Sequence, residues 1–404
     1  MTVNTSGTRQ LRRLALASVA LLALGATGAS AQETIKMGGV MSITGGGASI
    51  GAVATEAWKL AVEEINEAGG ILGKKVELVL GDTATDPTHG VSEARRLIDN
   101  VGVEMLVGPA TSQETIPITS VSTEKKVAQI STAASIELTP QAAPFHFSTS
   151  VTGLYQMMPN IDYAIDVLGA TKIGLISDNG GMSKAAVSEI IEYMKEKGVE
   201  PVITQEFPFR AEDMTPQLFS MRSAGAEAIL LINSIGDDSR KVLENRADIG
   251  WDVPVLANQT MSNYAVGNAA ILGEDAFEGV YSTQFVGMTY CPDDAVGESA
   301  FAKFVKRAEA TVPNIDRMGG APSLNPYYIQ PLIMAAAVNG AGTTDGEAVA
   351  KWIEENADQI QVQIGAIAAS DKSHFLPAPE SIKVTKNPHL LREDGLVERV
   401  DCAS

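Results

Sequence analysis

Two hydrophobic rhythms alternate along the chain. Residues Thr34–Met41 are a mostly apolar run that leads into the glycine-rich stretch Gly45-Gly46-Gly47-Ala48-Ser49-Ile50-Gly51. After it Trp58, Ala61, Val62 and Ile65 recur at helical spacing, until Gly69-Gly70. Spacing of three and four residues puts these side chains on one helix face, and glycine commonly ends a helix. Residues 75–80 alternate as a strand. Asp86-Pro87 opens the next helix, with Asp as cap and Pro in the first turn, and Val91, Ala94, Leu97 and Ile98 face its core. A short buried strand is predicted at Met105–Val107, a helix from about Thr111, and a strand at 128–131. Such β-α-β-α-β alternation predicts a parallel, doubly wound sheet. The rhythm restarts after about residue 152: helix 154–168, strand 172–176, helix 182–197, strand 199–207, helix 215–223, strand 228–232, helix 237–248 and strand 253–256. A second α/β unit with its own sheet is therefore expected, joined to the first by short loops near 148–153 and 282–287.

The first 31 residues have another character. They carry Arg9, Arg12 and Arg13 and no acidic residue, then an apolar run from Leu14 to about Ala26, then Ala29-Ser30-Ala31 before Gln32. A basic stretch, an apolar stretch and a small-x-small cleavage pattern are the parts of a secretory signal peptide. The apolar run is shorter than the roughly 20 residues a membrane span needs. Cleavage after Ala31 and export to a periplasmic space are expected, with no cysteine nearby to take a lipid.

Composition fits an exported protein of two lobes. The chain has 404 residues, 45% of them hydrophobic, and 30 basic against 49 acidic side chains, a net charge of −19. Loss of residues 1–31 removes three Arg and leaves 27 basic against 49 acidic. A surface this acidic repels nucleic acid and anionic lipid and favours a soluble monomer. The length left exceeds what one core usually supports. The two cysteines, Cys291 and Cys402, are an even count in an oxidising space and predict one disulfide. His89, His146, His374 and His389 show no metal-ligand spacing, and no metal or cofactor is expected.

In open parallel sheets, ligands bind beyond the carboxyl ends of the strands. Three loops of the first unit fall there: residues 45–51, residues 108–112 and residues 132–135. Small residues in all three let a ligand approach the backbone. Thr111-Ser112-Gln113-Glu114 fits a capping box and marks a helix start, whose free N–H groups suit an anion. As a dinucleotide fingerprint the glycine loop fails: its third glycine is displaced by one residue, and no acidic residue follows at the usual distance. No Walker-type phosphate loop, His-Glu-x-x-His or reactive-cysteine signature is present, so an exported enzyme is the weaker reading. Residues 82–86 lack the remaining ligands of a calcium loop, and Asp82 is expected to cap a strand end.

The runs TIKMGGVMSITGGGASIG, AVEEINEAGGILGKKVELVLGDTATDP, LVGPATS and ISTAAS together resemble the periplasmic binding proteins of ABC importers for branched-chain amino acids and related solutes. The likeness is strongest over residues 34–135 and weaker to about Asn258. It implies a type I fold: two Rossmann-like lobes joined by three crossovers, closing on a hinge around a solute that is passed to an ABC permease in the inner membrane. It places lobe one at 32–151 and 285–360, and lobe two at 152–284 and 361–404. It also places a carboxylate site at Ser112, the Ala133 backbone and Ser135, beside Ala110. The family's aromatic positions fall at Ile50, Met182 and Ile235, none of them aromatic. The acidic residue that pairs with an amino acid's ammonium falls at Gln259, whose amide carries no charge. The expected ligand is thus a small carboxylate or amide, aromatic or aliphatic, without an α-ammonium. A branched-chain or other amino acid is the alternative, and a sensor docking to a membrane receptor is the alternative of another class.

Overall fold

The computed structural model describes residues 1–2 and 33–402. The expected signal peptide and its cleavage position lie outside the described residues, apart from the first two. Sheet one is built from β1 (Thr34–Met41), β2 (Lys75–Asp82), β3 (Met105–Val107), β4 (Gln129–Ser131) and β5 (His146–Ser148), in the order β2-β1-β3-β4-β5. The pairs β1–β3, β3–β4 and β4–β5 are parallel, with Met37 opposite Met105. Helices α1 (Ala48–Glu67), α2 (Pro87–Arg95) and α3 (Ser112–Lys125) connect them. The face of α1 predicted from its spacing is the one that packs inward: Trp58 and Ala61 are fully buried, and the Trp58 indole N–H donates to Gln330 at 3.1 Å. Asp86 caps α2 as expected, accepting from the His89 N–H at 2.7 Å. Asp82 also caps, taking the N–H groups of Ile43, Thr44 and Ala84 at 2.8–3.0 Å.

The second unit runs α4 (Gly153–Asp162), β6 (Ile173–Asp178), α5 (Gly181–Glu196), β7 (Ile203–Phe207), α6 (Thr215–Ser223), β8 (Ala228–Ile232), α7 (Gly236–Asp248), β9 (Val255–Ala257), α8 (Gln259–Leu272) and β10 (Val280–Phe285). A short parallel pair, β11 (Thr289–Tyr290) with β13 (Val397–Glu398), forms a third, two-stranded sheet. Helices α9 (Ala300–Thr311), α10 (Ala321–Ala341) and α11 (Gly346–Asn356) follow β11 and contribute to the hydrophobic cluster around Trp58. β12 (Ile382–Lys386) joins sheet two, whose order is β12-β10-β9-β8-β6-β7. Only β12 runs antiparallel. Without β12, each sheet has its second strand at the edge, then the first, third, fourth and fifth. The repeat expected from the hydrophobic rhythm is therefore a repeat of topology.

The chain crosses between the sheets three times. Ser148 ends β5 and α4 begins five residues later; β10 ends at Phe285; β12 starts at Ile382. Before that last crossing, residues 374–376 run along β5. The Ser148 N–H donates to the His374 carbonyl and the Leu376 N–H to that of Ser148, both at 2.9 Å. The chain is thus still on sheet one well past residue 361, because β5 would otherwise be an open edge. Cys291 and Cys402 form a disulfide, with Cα atoms 5.6 Å apart. No helix among the described residues is long and apolar enough to cross a membrane.

Candidate functional site

A cavity lies where the carboxyl ends of the two sheets meet. Its wall is made by Ala110, Thr111 and Ser112 after β3, Thr132 and Ala134 after β4, Thr149 and Ser150 after β5, Ser234 after β8, Gln259 and Thr260 after β9, and Phe285 at the end of β10. Strand ends of a doubly wound sheet are where such sites form. About 80 Å³ is open to the centre of a water-sized sphere, room for a few waters or one small organic molecule.

No lining side chain carries a charge. Polarity comes instead from hydroxyls, amides and helix ends. The first turns of α3 (Ser112), α5 (Met182), α8 (Gln259, Thr260) and α10 (Ser323) all reach the wall. Each N-terminus brings unpaired N–H groups and the positive end of a helix dipole. Gly108 makes the α3 entry possible: its φ is +81°, and a Cβ there would lie 2.2 Å from the Val40 carbonyl oxygen.

Ser112 is oriented by its neighbours. Its oxygen accepts the N–H groups of Ala134 at 3.0 Å and Ser135 at 3.1 Å. A hydroxyl with both lone pairs taken has only its proton left to give. The predicted capping box does not form. Thr111 sits at the N-cap without a side-chain bond to the backbone, and its hydroxyl donates to Glu114 at 2.6 Å. The Glu114 carboxylate is fully buried and also takes the hydroxyls of Ser42, at 2.8 Å, and Thr83. No cationic side chain pairs with it among the described residues.

On the opposite wall Gln156 donates to Ser150 and to the Val151 carbonyl and accepts from Asn258 at 3.0 Å. Asn258 also donates to the Asn233 carbonyl at 3.0 Å. This web of neutral amides holds the first turn of α8. Gln259 lies in that turn, 5% exposed, and its amide nitrogen has no hydrogen-bond partner among the described residues. A buried unpaired amide costs about 1–3 kcal/mol until something satisfies it. Tyr264 of α8 and Tyr327 of α10 come from opposite sides of the cavity. Burial pushes the Tyr327 hydroxyl up to about 12.

Of the residues expected from the sequence, Ala110, Ser112, Met182 and Gln259 line this cavity. Four do not. Ile50 and Ile235 are buried in the hydrophobic cluster around Trp58, so they are core rather than wall. Ala133 turns toward Leu138 and Ala143, and its N–H is held by the Ser131 hydroxyl at 3.0 Å. Ser135 is fully buried; its N–H serves Ser112 and its hydroxyl oxygen accepts from Glu137. The glycine loop also stays off the wall. Ser49 donates to Asp237 at 2.9 Å, and the Arg210 guanidinium donates to the Gly46 carbonyl. Residues 47–51 spell Gly-x-Ser-x-Gly, the pattern of a nucleophile elbow. Here the serine lies in the first turn of α1 and gives its proton to a carboxylate rather than to a histidine. The sequence reading missed the aromatic wall of Tyr264, Phe285 and Tyr327. All three lie beyond residue 258, where no element was predicted.

The chain is similar to known proteins along most of its length. A Leu/Ile/Val-binding protein homolog of Brucella melitensis is 26% identical over 360 residues, 88% of this chain and 92% of that one. Among solved structures, LivJ of Streptococcus pneumoniae, a branched-chain amino acid transporter substrate-binding protein in complex with isoleucine, superposes with a TM-score of 0.75 at 20% identity, covering 91% of this chain and 99% of that one. An ABC transporter solute-binding protein from R. palustris in complex with 4-hydroxybenzoate gives 0.76 at 16% identity, covering 92% and 96%. At these identities the structural likeness speaks for the fold, two lobes of the type I kind. The family described as periplasmic binding protein matches residues 34–379. That span takes in both sheets up to the threshold of β12, so the chain belongs to the periplasmic binding protein family and is a binding protein, not an enzyme.

Proposed function

We propose that this chain captures a small carboxylate-bearing solute without an α-ammonium in the cavity between its lobes, in the periplasm, and delivers it as a monomer to an ABC permease in the inner membrane. One observation carries this reading: four helix N-termini and the committed donor Ser112 converge on a wall with no charged side chain. Such a wall favours an anion and offers an ammonium no direct counter-charge. The unpaired Gln259 amide supplies a second donor. Tyr264, Phe285 and Tyr327 suit an aromatic or aliphatic body, the kind of solute seen in the R. palustris protein with 4-hydroxybenzoate. In this reading Ala110, Ser112, Met182 and Gln259 touch the ligand, and the crossings at 149–152, 286–288 and 377–381 form the hinge.

A second reading has its own support. Glu114, two residues from Ser112, holds a buried carboxylate that takes the Thr111 hydroxyl, and relatives bear the name Leu/Ile/Val-binding protein homolog. Both favour an amino acid, its ammonium drawn by Glu114 through the intervening hydroxyls. A thermal-shift screen over amino acids, aromatic acids, keto acids and amides separates the two. The leading hit should be a carboxylate without an ammonium, and Ser112→Ala should weaken it roughly tenfold to a hundredfold, the worth of one charge-assisted hydrogen bond. A free amino acid as the sole hit would favour the second reading.

A further inference from the structure

Behind the cavity lies a second pocket of about 210 Å³, lined by Ser49, Val53, Asp237, Asn268 and Arg317 among others. One side chain lines both spaces: Tyr264. Its ring is seated by Gly236, where a Cβ would fall 2.4–2.8 Å from the ring and its Cβ. Any larger residue at 236 would displace it. On the cavity side its hydroxyl is buried and has no hydrogen-bond partner among the described residues, and Tyr327 lines the same cavity. The partition between the two spaces is therefore one aromatic ring, held from behind by a glycine. The pocket behind it has the larger volume and holds a cation, Arg317, which the cavity lacks.

We propose that Tyr264 is the specificity-determining wall of this site, setting the greatest length of solute that the cavity accepts, and that the pocket behind it is a latent subsite for the far end of a longer anionic solute. This rests on the reading of the cavity as the ligand site. Whichever end of a solute faces α8, the ring stops it there. With the ring gone, a longer chain reaches into the second pocket, and a second carboxylate would meet Arg317.

The test is a length series of probes, benzoate, phenylacetate, 3-phenylpropionate and 4-phenylbutyrate, titrated by calorimetry into the wild-type chain, Tyr264→Ala and Tyr264→Phe. The wild-type chain should show a cut-off, with affinity falling at least tenfold at the first probe too long for the cavity. Tyr264→Ala should move that cut-off by at least one probe and bind the newly admitted one at least tenfold more tightly than wild type. Tyr264→Phe, which keeps the ring and loses the hydroxyl, should keep the wild-type cut-off. An unchanged cut-off in Tyr264→Ala overturns the proposal, as does an equal shift in Tyr264→Phe. Tyr264→Leu replaces the alanine variant if that one does not fold. If no probe binds the wild-type chain, the functional reading fails for this class of solute. A crystal structure of the alanine variant then decides the wall by itself: one continuous void supports it, and a space refilled by neighbouring side chains overturns it.

Discussion

Burial pushes the Asp238 carboxyl up to about 7, and the Asp178 and Asp237 carboxylates push it the same way against the pull of Arg210. Asp238 accepts the Arg210 N–H at 3.2 Å, and Arg210 has a left-handed φ of +63°. The raised value means that the folded chain holds a proton which the unfolded chain has released, between its usual value near 4 and about 7. Stability from this group is therefore complete in acid and lost as pH rises through 7. Asp238→Asn keeps an acceptor for Arg210 and removes the titration. Thermal melts should show it more stable than wild type at pH 8, by on the order of 2–4 kcal/mol, and little different at pH 4. An equal offset at both pH values would remove the charge from the explanation. At this scale the residues that the sequence reading and the cavity wall share are those fixed by backbone position. Ala110 and Ser112 follow a strand end that glycine and proline mark, and Gln259 and Met182 open helices. The place of Ile50 and Ile235 in the core was not legible, because an aliphatic residue at a helix start reads alike whether it packs into a core or against a ligand.

The elements themselves were written clearly as far as residue 258, apart from the short strand β5, where no strand was predicted. Helix Thr215–Ser223 and strand Ala228–Ile232 appear at the predicted bounds, since each has one period and a firm stop. Helix α10 was unreadable for a physical reason. It carries Pro322, Pro326 and Pro331 and is buried almost all round, so neither amphipathic spacing nor helix propensity marks it. Two side chains bond its backbone from inside the fold: the Pro326 carbonyl accepts from the Thr149 hydroxyl at 3.3 Å and from the Gln330 amide at 3.2 Å. The glycine loop was read as a ligand loop and is instead a contact between lobes, made by Ser49 with Asp237 and by Arg210 with Gly46. Contacts made only when two lobes meet raise affinity by favouring the closed state. Asp237→Ala removes the Ser49 bond and the ion pairs with Arg210 and Arg240. Ligand affinity should fall by up to about tenfold, the worth of one partly exposed polar contact. Small-angle scattering should show a larger radius of gyration with ligand at equal occupancy. Unchanged affinity and radius would reduce this contact to a surface ornament.

For the whole molecule, the two-lobed plan followed from the repeat of α/β rhythm, while the late return of the chain to sheet two did not. Its pairing of residues 374–376 with Ser148 is a contact between segments more than 200 residues apart, which no local pattern records. The disulfide closes a loop about half as long, 111 residues in sequence separation, and lies off the cavity wall. Cys402→Ser should therefore cost about 2–4 kcal/mol of stability, read as a lower melting temperature, with ligand affinity unchanged. A change in affinity would mean that the tail acts on the cleft. The ligand's charge pattern remains the central matter, and the uncharged wall with Gln259 in it decides the expectation. Stripping water from an ammonium without a counter-charge costs several kcal/mol. The most direct measurement is calorimetry with leucine and with its keto acid, 4-methyl-2-oxopentanoate, which differ at one carbon. The keto acid should bind at least tenfold more tightly, and Gln259→Glu should reverse the order. Submicromolar binding of leucine with the keto acid weaker would contradict it, and would show that Glu114 reaches the ammonium after all.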